Sequence, residues 1–136
     1  MYDVRSRDIG KAYREQEILT APPERVIGYL FQGLEKFLLQ AKAGVEANQP
    51  VRVGEIAGKA QGIVWELLGA LDMEKGGKLA EDLAAIYRFM IDRIVKGGLE
   101  KEAAPFEEAL RVLEPLKEGW NELLVKRGRG GSSPAV

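Results

Sequence analysis

Apolar residues along the chain recur at steps of three and four, and no segment alternates at two. That spacing predicts helices and no strands. Ile27, Phe31, Leu34, Leu38, Ala41 and Val45 form a first stripe, and Val53, Ile56, Ala60, Ile63, Leu67 and Leu71 a second. Leu79, Leu83, Ile86, Met90 and Ile94 form a third, and Phe106, Leu110, Leu113, Trp120 and Leu124 a fourth. Stop signals separate them: Asn48-Gln49-Pro50, the run from Asp72 to Gly77, and Gly97-Gly98. Connections this short make neighbouring helices antiparallel, so the expected fold is all-α, an antiparallel four-helix bundle that buries the four stripes together.

The first main helix is expected to begin near Leu19-Thr20-Ala21-Pro22-Pro23-Glu24, where Thr20 is the capping side chain and proline suits the first turn. Pro115 lies inside the fourth pattern, where a kink or a break is expected. Residues 5–18 place Ile9, Ala12, Tyr13 and Gln16 on one face of a helix too short to stand alone. The organisation predicted is a single helical-bundle domain over 1–127, with 1–18 a mobile N-terminal arm and 19–127 the bundle. The Gly-, Arg- and Ser-rich tail 128–136 has nothing to bury and is expected to be disordered.

Composition narrows the chemistry. The 136 residues include no Cys and no His. Zinc–thiolate and imidazole sites, Cys nucleophiles and His-based triads are therefore excluded, and so are Glu-x-x-His di-metal bundles. Ser6, Ser132, Ser133 and Thr20 are all the hydroxyl residues besides tyrosine. No cofactor, no metal and no enzymatic activity are expected. The 20 Lys and Arg balance 21 Asp and Glu, which argues against a general nucleic-acid partner. No apolar run is long enough for a membrane span, and the N-terminus is too charged for a secretory signal, so a cytoplasmic protein is expected.

Two helices have faces unsuited to a plain bundle. On the second, Arg52, Glu55, Lys59 and Glu66 crowd one flank. The other flank and the back hold Gly54, Gly58, Gln61, Gly62, Trp65, Leu68 and Gly69 without a charge. A solvated helix back normally carries Lys, Glu and Arg, and each interior Gly costs ~1 kcal/mol relative to Ala. This face is covered by residues 5–18, or offered to a partner, or is a product of composition. The first two readings are compatible. On the third helix, Ala80, Ala84, Tyr87, Ile91 and Val95 widen the apolar surface, with Tyr87 at the core edge. Together with Ala57 and Val64, these residues outline a groove for an amphipathic helix or an extended apolar segment.

The ordered segments resemble a known family. Leu19-Thr20-Ala21-Pro22-Pro23-Glu24 and then Leu30-Phe31-Gln32-Gly33 look like its Ser/Thr-Ala-Ser-Pro entry and Leu-aromatic-Asp-Gly step. Lys59-Ala60-Gln61 resembles its Arg-Ala-Gln. Leu71-Asp72, Gly76-Gly77, Leu79-Ala80 and Ile86-Tyr87 follow its Leu-Asp, Gly-Gly, Ala, Leu-Tyr run, and Trp120 matches a late Trp. Ile9-Gly10-Lys11-Ala12-Tyr13 is similar to its N-terminal arm. The family is that of the flagellin-specific export chaperones, FliS, and the resemblance covers residues 1 to about 125. Pro22, Gln32 and Asp82 depart from its usual Ser, Asp and Asn.

The resemblance implies a cytosolic bundle that binds the disordered C-terminal segment of flagellin. Binding prevents premature polymerisation and assists delivery to the flagellar type III export gate. The expected flagellin groove comprises Gly54, Ala57, Gly58, Gln61, Gly62, Val64, Trp65, Leu68, Ala80, Ala84, Tyr87 and Ile91, with Ile9 and Tyr13 on an arm that covers it in the free protein. A non-enzymatic bundle that binds another amphipathic flagellar partner, a regulator or a co-chaperone, is the alternative.

Overall fold

A computed structural model describes residues 23–128. Four helices follow one another: α1 (Pro23–Glu46), α2 (Pro50–Gly69), α3 (Met73–Glu100) and α4 (Ala103–Gly128). The expected capping by Thr20, the arm with Ile9 and Tyr13, and the tail after 128 lie outside the described residues.

The helices form a ring in chain order, α1 against α2 and α4, and α3 against α2 and α4. Contacts between them fix the directions. Gly44 meets Val53 while Gly33 meets Ile63, so α1 and α2 are antiparallel. Ala57 meets Gly98 and Gly54 meets Lys101, so α2 and α3 are antiparallel. Lys42 pairs with Glu107 at 3.4 Å and Lys117 with Glu35 at 2.5 Å, so α4 returns beside α1. These ion pairs are half exposed and contribute ~1 kcal/mol or less each.

The core holds Leu34, Leu38, Val53, Val64, Leu67, Tyr87, Met90, Ile94, Phe106 and Leu113, and among the described residues no polar or charged residue other than Tyr87 shares it. Phe31 and Trp120 meet edge to face, with centroids 6.4 Å apart, where the start of α1 crosses the end of α4. The stripes expected on α1, α2 and α4 all face inward or lie half-buried.

The third stripe is displaced. Its centre runs through Ala80, Ala84, Tyr87, Met90, Ile94 and Gly97, while Leu79 is 52% exposed and Leu83 and Ile86 are half-buried. The apolar face of α3 spans nearly half its circumference, and bulk alone misplaces its midline. Small residues stand on this midline at Ala80, Ala84 and Gly97, and at Gly97 the Phe106 ring comes too close for a side chain.

Gly97-Gly98 does not end α3, which continues to Glu100 and is closed by Lys101 in the left-handed region, φ 57°. The pair serves packing. A Cβ on Gly97 would stand 2.8 Å from the Phe106 ring of α4, and one on Gly98 would stand 2.9 Å from the Ala57 Cβ of α2. Adjacent residues on one helix thus admit two different neighbours.

The expected break from Asp72 to Gly77 is narrower than its residues suggest. Asp72 caps α3, its carboxylate accepting the Lys75 N–H at 2.9 Å. Gly77, at φ 50° and ψ −125°, then interrupts the helix within its second turn. α4 runs through Pro115 without a break.

Candidate partner-binding groove

The charged flank of α2 turns toward α1, where Lys59 Nζ lies 5.9 Å from the centre of the Phe37 ring. The uncharged flank therefore turns toward α3. Between them is an open groove of about 250 Å³. Gly54, Ala57, Gly58 and Gln61 line it from α2, Ile94, Val95, Gly98 and Leu99 from α3, and Lys101 closes its end. Gly58 and Gly62 have nothing within 4 Å of where a side chain would begin. Trp65, 53% exposed, continues the same face of α2. Val51 and Leu99 add apolar side chains 75% and 78% exposed near the Lys101 end.

The residues expected in the groove divide into three groups. Gly54, Ala57, Gly58 and Gln61 line it, and Gly62 and Trp65 extend it in the open. Leu68 and Ile91 are half-buried at the α2 and α3 edges. Val64, Ala80, Ala84 and Tyr87 are buried in the core, so they offer no open surface to a partner in this conformation. Gly98, Leu99 and Lys101 line the groove unanticipated, because Gly97-Gly98 was expected to end the helix before them. The signal that was there is Leu99, a large apolar residue placed one α-turn after Val95 on the groove side.

A second, apolar cavity of about 180 Å³ opens between α1, α3 and α4, among Phe31, Leu79, Leu83, Tyr87, Leu116 and Trp120. Burial there pushes the Tyr87 hydroxyl up to about 12. This cavity is almost wholly apolar, while the α2/α3 groove also exposes polar atoms, Gln61 and Lys101 among its lining. Among the described residues no group of three or more carboxylates is placed to hold a metal, and no helix is long and apolar enough to cross a membrane.

Four antiparallel helices with a glycine-lined outer groove define a helical-bundle binding protein. Residues 6–127 match the family model for "Flagellar protein FliS". A flagellar secretion chaperone FliSB of Pseudomonas aeruginosa is 36% identical over 107 residues, covering 79% of this chain and 85% of that one. The flagellar secretion chaperone FliS of Salmonella typhimurium is 34% identical over 113 residues, 82% and 84% of the two chains. The Bacillus subtilis chaperone of the same name is 25% identical over 123 residues, 89% and 91%. The chain belongs to the FliS family of flagellar proteins. Its relatives carry the names of chaperones, not of enzymes.

Proposed function

We propose that this protein is a cytosolic flagellar secretion chaperone. It binds the disordered C-terminal segment of flagellin along the α2/α3 groove, prevents premature polymerisation and assists delivery to the type III export gate. No catalytic step belongs to this role. The observation that supports it is the uncharged outer face of α2, with Trp65 half-exposed beside a groove that glycines keep open. A segment that folds on binding gains most where apolar area is already exposed and backbones can approach closely.

The test is titration with the C-terminal segment of the cognate flagellin. Trp65→Ala removes a large exposed ring, and Gly58→Leu fills space that is empty in the free protein. Both variants should keep the melting temperature within a few degrees and weaken binding by roughly tenfold or more, as loss of a central aromatic anchor does. Unchanged affinity in both would refute this location of the site.

A further inference from the structure

Lys101 stands at a position that ordinarily takes glycine or asparagine. It adopts φ 57°, ψ 47° to close α3, its N–H donating to the Gly97 carbonyl. A lysine held in this region points to a role for its side chain. That side chain folds over the end of the groove. Its Nζ donates to the Gly98 carbonyl and lies 3.4 Å from where a Cβ on Gly54 would stand. The ammonium has three donors and makes no ion pair with any described carboxylate, although Glu100 and Glu102 flank it in sequence.

Arg88 stands three residues before Ile91 and seven before Val95, on the same flank of α3, exposed and likewise without an ion pair to any described carboxylate. The thirteen steps from Arg88 to Lys101 cover about 20 Å along α3. The lining of the groove itself contains no carboxylate. The groove lining therefore offers no carboxylate to the Lys101 of a second copy, so a second copy does not complement this lysine.

We infer that the segment bound in the α2/α3 groove carries an Asp or Glu side chain that pairs with Lys101, and that this pair sets the register of the partner. The inference rests on the function proposed above and names the chemistry of its partner. Leu99 lines the groove beside Lys101, and the exposed Val51, one turn before Gly54 on α2, carries apolar surface past that end, so the partner chain runs past the lysine and the carboxylate it meets is a side chain and not a chain end.

Lys101→Met keeps the apolar stem and removes the charge. Lys101→Gly removes both and relieves the left-handed backbone. Full-length wild type and both variants are titrated with the flagellin C-terminal segment at low and high salt. Both variants should lose affinity roughly three- to tenfold at low salt, the range of a partly exposed charged hydrogen bond, and should lose much of the salt dependence. One Asp→Asn or Glu→Gln change in the segment should cost the wild type the same factor and cost Lys101→Met nothing. Lys101→Glu with the matching Glu→Lys or Asp→Lys change in the segment should restore binding. Wild-type affinity in Lys101→Met, a loss independent of salt, or a loss reproduced only by amidating the segment's C-terminus would overturn the inference. Failure of the wild type to bind would overturn the proposed function and this inference with it.

Discussion

Gly97→Ala should destabilise the protein although it improves helix propensity. In an open helix interior, Gly→Ala gains ~1 kcal/mol. At Gly97 the added methyl would stand 2.8 Å from two carbons of the Phe106 ring and 3.0 Å from a third. That ring is fully buried, so it cannot swing into solvent. Overpacking of this kind costs about 1–3 kcal/mol, which outweighs the propensity gain. The net expectation is a loss of up to about 2 kcal/mol, the difference between the two terms. Gly58→Ala, with nothing within 4 Å, should show the gain alone. Urea denaturation and thermal melting measure both. At about 2.1 cal/mol/K per residue, 1 kcal/mol moves the melting temperature of a chain this long by about 4 °C. Phe106→Leu should be less costly in the Gly97→Ala background than alone, a favourable coupling of ~1 kcal/mol. Equal stabilisation by Gly97→Ala and Gly58→Ala would refute the argument.

Gly77→Ala should cost about 1–3 kcal/mol with no clash, because its φ of 50° and ψ of −125° suit glycine almost alone; an unchanged urea midpoint would contradict this. Tyr87 should make stability fall at high pH. Its hydroxyl titrates near 12 when folded and near 10 when unfolded, so its contribution is whole below pH 10 and is lost as pH rises through about 12. The total is ~3 kcal/mol, and Tyr87→Phe should lack that fall; parallel pH profiles of the two proteins would refute it.

The helices of this protein were legible because each buries one face, and the three-and-four spacing of α1, α2 and α4 marks that face directly. The family was legible as well, from short segments whose order and spacing are jointly specific. The uncharged face of α2 could be read because charge is normally what a helix back carries. What the sequence could not determine was the use of small residues. Gly97-Gly98 has the local chemistry of a helix stop, and only the Phe106 ring on one side and the Ala57 methyl on the other make it a packing site. Ala80 and Ala84 look marginal beside Leu79 and Leu83, yet they are buried and Leu79 is not. A stripe reports which face is apolar, while the distance between two helix axes selects the residues at its centre. For the same reason Lys101 entered the groove only through the fold: α3 had to continue past its glycines to carry the lysine over Gly54. Periodicity along one chain determined the elements, and close approach between elements distant in sequence decided which side chains the groove contains.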